Sequence, residues 1–105
     1  MKIIETSVFT KRLKTLLPDE DYRNLQNELI QNPEIGKIIR GSGGLRKIRW
    51  SLPGHGKRGG VRIIYYAALK KEIIMMLLIY SKNERDNLTN EQLRILKSLV
   101  EREFK

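Results

Sequence analysis

Two β-rich runs joined by one short charged link constrain this 105-residue chain more than any other feature. Ile73 to Tyr80 is eight apolar residues without a break, and Val61 to Ala67 is mostly β-branched or aromatic, with Leu69-Lys70-Lys71 between them. Eight residues fall far short of the roughly 20 that a membrane-crossing helix requires. Their length and composition predict strands, and so short a link predicts an antiparallel hairpin. The Glu72–Tyr80 strand is apolar at both alternating positions, which places it centrally, covered by helices on one face and partly covered on the other.

The flanking sequence supplies those helices. Lys2-Ile3-Ile4-Glu5 reads as a short strand, and Phe9, Leu13, Leu16 and Leu17 then recur at helical spacing. Pro18 interrupts, Asp19, Glu20 and Asp21 load the positive end of a second helix, and Tyr22, Leu25 and Leu29 give it one apolar face before Asn32-Pro33 closes it. So tight a joint predicts a helical hairpin. Gly41-Ser42-Gly43-Gly44 reads as a flexible punctuator, and Leu45 to Trp50 as an arginine-rich strand. Near the C-terminus, Thr89 with Gln92 fits a capping box, Leu88 with Leu93 a hydrophobic staple, and Leu93, Leu96, Leu99 or Val100, and Phe104 an apolar stripe. The expected order is β-α-α-β-β-β-α. That is one α+β domain, residues 1–105, with a mainly antiparallel four-stranded sheet packed on an N-terminal helical hairpin and a C-terminal helix.

Charge is distributed unevenly along this plan. Lysine and arginine exceed acids by 21 to 12, and the 37 residues between Glu34 and Glu72 hold no acid at all. They hold Lys37, Arg40, Arg46, Lys47, Arg49, Lys57, Arg58, Arg62, Lys70 and Lys71, so the whole net charge lies in the middle third. A solubilising surface mixes signs. A segment stripped of carboxylates repels itself until a polyanion neutralises it, and a phosphate backbone is the natural one.

Several chemistries fall away. Cysteine is absent, which removes disulfides and thiolate sites and agrees with a cytoplasmic address. His55 is the only histidine and stands in an acid-free region, so neither a metal centre nor a Ser-His-Asp arrangement is expected, and no cofactor is implied. Gly54-His55-Gly56-Lys57-Arg58-Gly59 matches G-x-G-x-x-G in letters only: a strand follows it, and no acid occurs until Glu72. It is not a P-loop, because Arg58 stands where Ser or Thr is needed. The opening residues meet Glu5 before any long apolar stretch forms, unlike a secretory signal.

Three blocks together resemble one family: Gly43-Gly44-Leu45-Arg46-Lys47-Ile48-Arg49, Gly56-Lys57-Arg58-Gly59-Gly60-Val61-Arg62-Ile63-Ile64-Tyr65-Tyr66, and Leu78-Ile79-Tyr80-Ser81-Lys82-Asn83-Glu84. They resemble the HigB branch of the RelE toxin superfamily. The resemblance spans nearly the whole chain and implies a RelE-like fold and the toxin role in a type II toxin–antitoxin pair. It implies an endoribonuclease, an mRNA interferase acting on messenger RNA in the ribosomal A site against ribosomal RNA. It also implies a HigA-like antitoxin with a helix-turn-helix domain, through which the toxin would meet operator DNA indirectly. The family's strand arginine, implicated in catalysis or phosphate stabilisation, matches Arg62. Its preceding basic residues match Arg46, Lys47, Arg49, Lys57 and Arg58. Where RelE has an arginine after the strand-end lysine this chain has Asn83, and no tyrosine follows Tyr80, which leaves Tyr80 and Lys82 as the nearest acid–base candidates.

Metal-free transesterification needs a base for the 2′-hydroxyl, cations around the phosphorane and an acid for the departing 5′-oxygen. Arg62, with Arg49 or Arg58, suits the second role through a charged planar fork. Lys57 suits the first, since neighbouring cations disfavour its protonated form. Arg40, Arg46, Lys47 and His55 are expected on the RNA. Tyr65 and Tyr66 point to opposite faces of their strand, so one belongs to the core and the other, for which Tyr66 is the candidate, stacks on a base. Trp50 shares the face of Ile48 and is expected in the core. Two readings stay open beside cleavage: a non-catalytic RNA- or ribosome-binding module, and a regulatory protein whose basic sheet docks an acidic helix.

Overall fold

The two apolar runs pair as their composition requires. In a computed structural model that describes residues 1–51, 60–84 and 87–105, they form β4 (Val61–Ala68) and β5 (Ile73–Ser81), antiparallel along their length. A 3-10 turn at Leu69–Lys71 joins them, and Glu72 takes the left-handed conformation that reverses the chain. The other elements are β1 (Lys2–Glu5), α1 (Ser7–Leu16), α2 (Asp19–Gln31), β2 (Lys37–Ile38), β3 (Arg46–Trp50) and α3 (Asn90–Phe104).

The sheet therefore has five strands among the described residues, in the order β1-β5-β4-β3-β2, and it is mixed: β1 runs parallel to β5 and every other pair is antiparallel. This corrects the four-stranded expectation. The added strand, β2, is two residues long with both side chains exposed, so it leaves no alternation to read. The Gly41-Ser42-Gly43-Gly44 punctuator is a defined turn. The N–H of Leu45 donates to the Ser42 hydroxyl at 3.0 Å, the N–H of Ile39 to the carbonyl of Leu45 at 2.8 Å, and Gly41, Gly43 and Gly44 adopt the positive φ that glycine permits.

Two cores form, one on each face. The helical hairpin side joins Phe9, Leu25 and Leu29 to Ile48, Ile63, Tyr65, Met76 and Ile79. The α3 side joins Leu45, Ile64, Leu77, Tyr80 and Val100, with Leu93, Leu96 and Phe104 packed against them. A bulge separates them cleanly: Ile64 pairs with Leu78 and Tyr65 with Met76, so Leu77 is the extra residue. Leu77 and Leu78 thus both pack on the α3 side, and alternation resumes with Ile79 on one face and Tyr80 on the other. The capping box at Thr89 is formed in both directions. No helix among the described residues is long and apolar enough to cross a membrane.

Candidate nucleic-acid interface

Strand register assembles the site. Arg49 of β3 lies opposite Arg62 of β4, and Arg62 lies opposite Tyr80 of β5, so three side chains form one row across the sheet. Opposed residues of an antiparallel pair share a face with Cβ atoms about 5 Å apart, and membership of Tyr80 in the α3-side core fixes which face it is. Lys47, two residues before Arg49, and Lys37, opposite Lys47, extend the cations along the same face. None of β2, β3, β4 and β5 contains a carboxylate residue.

Burial sharpens the picture. Arg62 is only 6% exposed and Tyr80 only 2%, whereas Arg49 is exposed. Two guanidinium groups placed directly opposite each other repel, and burying one of them adds desolvation. Lys47 reaches sideways instead, its Nζ donating to the Asn87 side-chain oxygen at 2.9 Å, which ties β3 to the segment entering α3.

The remaining sequence-derived residues do not all join this row. Arg46 points to the opposite face. There its guanidinium donates to the carbonyls of Glu34 and Gly36 at 3.1 and 2.7 Å and pairs with the Glu34 carboxylate at 3.1 Å, holding the α2–β2 link against β3. Tyr66 lies on the α3 face four residues further along β4, with its ring stacked on Phe104 at 5.4 Å between centroids and the Lys105 ammonium 5.7 Å from it. Arg40 is exposed in the β2–β3 turn, at that same far end. Lys82 is exposed, just past β5, and its backbone N–H donates to the carbonyl of Gly60 at 3.3 Å. His55, Lys57 and Arg58 lie outside the described residues. Of the two tyrosines, Tyr65 is the core residue: its hydroxyl accepts from the N–H of Gly36 and donates to the carbonyl of Pro33, both at 2.8 Å, and burial raises its pKa. Trp50 packs against the hairpin-side core with Ile48.

Comparison places the chain and its fold. The sequence model described as the RelE toxin of the RelE / RelB toxin-antitoxin system matches residues 1–105. The chain belongs to the RelE toxin family. Solved RelE structures share the fold. The isolated E. coli RelE toxin aligns with a TM-score of 0.58 at 16% identity, covering 93% of this chain and 97% of that one. The toxin in the intact E. coli RelBE toxin–antitoxin complex aligns at 0.58 and 19%, covering 76% and 94%. A free E. coli RelE with two arginines replaced by alanine aligns at 0.57 and 17%, covering 79% and 84%.

Within this RelE-family chain, two residues beside the row carry no assigned role in the sequence reading, although Glu84 closes the third resemblance block. Arg12 of α1 and Glu84, just after β5, form an ion pair, and with Leu78, Tyr80 and Gln92 they line a small cleft beside Tyr80. Hydrogen bonding from the N–H of Ser81 and from Arg12 lowers the pKa of Glu84. The two partners stand 72 positions apart, and no local pattern connects them.

Proposed function

We propose that this chain is a HigB-type toxin, a ribosome-dependent endoribonuclease that cleaves messenger RNA by metal-free transesterification and so arrests translation. The observation that carries the reading is the row Arg49–Arg62–Tyr80, set in strands without carboxylates and adjoining Lys47 and Lys37. In the proposed reaction the 2′-oxygen attacks the adjacent phosphorus, a new 2′-O–P bond forms, the P–O5′ bond breaks, and the 5′-oxygen leaves with a proton. Arg62 and Arg49 hold the phosphorane oxygens, for which a forked cation in a partly dry site is the effective group. Lys57 is the proposed base, Arg58 a further phosphate cation, and Tyr80 or Lys82 the proposed acid. Lys47, Arg40 and His55 meet the RNA and ribosomal backbone. Arg46 and Tyr66 enter this proposal only as supports of the fold, because their groups are engaged elsewhere.

The proposed partner is a HigA-like antitoxin with a helix-turn-helix domain, which would bring the toxin to operator DNA without direct contact. RelE neighbours bound to RelB or to a RelB peptide support an antitoxin partner. The test is inducible expression in bacteria with and without the neighbouring gene, followed by mapping of message 5′ ends. Growth arrest, cuts in register with codons and rescue by the neighbour are expected. Intact messages from an arrested culture would favour the non-catalytic ribosome-binding reading, and no arrest at all would reject both.

A further inference from the structure

β1 is four residues long and β5 nine, so the far half of the β5 edge has no strand beside it. The entry to α1 fills the gap. The Thr6 hydroxyl donates to the carbonyl of Leu77 at 2.9 Å, and Nε of Arg12 donates to the carbonyl of Ile79 at 2.8 Å. The same guanidinium holds the Glu84 carboxylate through Nη2, and the other carboxylate oxygen accepts from the N–H of Ser81 at 2.9 Å. The Ile79 carbonyl and the Ser81 N–H belong to the two peptide units that flank Tyr80. One ion pair thus grips the backbone on both sides of the residue that stands opposite Arg62.

Stability alone does not account for this arrangement. The two side chains are 36% and 40% exposed, and pairs that wet add at most about 1 kcal/mol. What they fix is direction: with both adjoining peptides tied, the orientation of the Tyr80 Cα–Cβ bond across from Arg62 is set. We propose that Arg12 and Glu84 form a positioning clamp that holds Tyr80 against Arg62 for the cleavage step. The clamp rests on the cleavage reading above, and neither residue touches RNA in it.

Arg12→Met, Glu84→Gln and the double variant test it in single-turnover cleavage of ribosome-bound message. Each single change is expected to lower the rate at saturation about 10- to 100-fold, the scale of a small misplacement at a reacting centre, with half-saturation moved less than about twofold. The double variant should be no slower than the worse single, as befits residues acting as a unit. In a Tyr80→Phe background, the clamp changes should remove nothing further. Additive losses in that background, or a change confined to half-saturation, would overturn the clamp. A second arm needs no catalysis: with carbon-13-labelled tyrosine, and Tyr80 assigned by Tyr80→Phe, both single variants should shift or broaden its ring resonance while Tyr22 and Tyr65 stay put. An unmoved Tyr80 signal, or loss of the folded spectrum in both variants, rejects the clamp. If the unaltered protein leaves message whole, the cleavage reading falls and the resonance arm still decides the clamp.

Discussion

Arg62 combines burial, a like-charged neighbour across the strand pair and a place in the middle of the row. Under the proposed chemistry, Arg62→Ala should lower single-turnover cleavage by about 10²- to 10³-fold, the effect of losing one donor to a developing oxyanion. Arg62→Lys should restore little, because an ammonium offers a point charge in place of a fork. Recovery of more than half the rate by lysine would reject the fork. Tyr22 gives a prediction about stability. Burial, and the bond from its hydroxyl to Glu5 at 2.5 Å, raise its pKa above the usual tyrosine value. Below about pH 10 the phenol is neutral folded or unfolded and its contribution is complete; above that the unfolded phenol ionises first, so stability falls as pH rises. Urea midpoints between pH 8 and 11 should therefore decline less in Tyr22→Phe than in the unaltered protein. Arg62 was legible because charge pattern and family resemblance converge on it. Arg12 and Glu84 were not, since each reads alone as an ordinary residue of a solvated surface.

Among the elements, those with strong local signals were readable to within a residue or two. The α3 boundary followed from Thr89 and Gln92, and removing the cap with Thr89→Ala should cost about 1 kcal/mol in chemical denaturation. The β4–β5 hairpin followed from composition. The Leu77 bulge did not, because both residues at a bulge in an all-apolar strand are apolar whichever way they face. β2 escaped notice for the opposite reason, being too short to carry a pattern. Its position is enforced from Gly36, where an added Cβ would come 2.8 Å from the Tyr65 ring and hydroxyl and 3.1 Å from the carbonyl of Lys47. Gly36→Ala should destabilise the fold by about 1–3 kcal/mol through overpacking, read as a lower urea midpoint; a neutral result would mean Tyr65 yields easily.

At the scale of the whole molecule, the acid-free segment was the most legible feature, and the fold sorts its cations into different tasks. Lys37, Lys47, Arg49 and Arg62 share one face, Arg46 braces the other, and Arg40 stands at the far end of the sheet. Which cation goes where is a matter of register, and a single sequence shows register only after pairing is known. If four cations meet a single strand, log affinity should fall with log salt at a slope of about −3, and Arg49→Ala should flatten it by about 0.7. A slope that ignores Arg49 would remove that residue from the interface. The parallel pairing of β1 carries a last consequence. Residues 2–5 find their strand partner only at 73–76, and the Arg12 guanidinium finds its acceptors only at 79 and 84. A growing polypeptide thus leaves its first strand without a sheet to join until residues 73–84 have been made, and the grip on the backbone around Tyr80 closes late in synthesis.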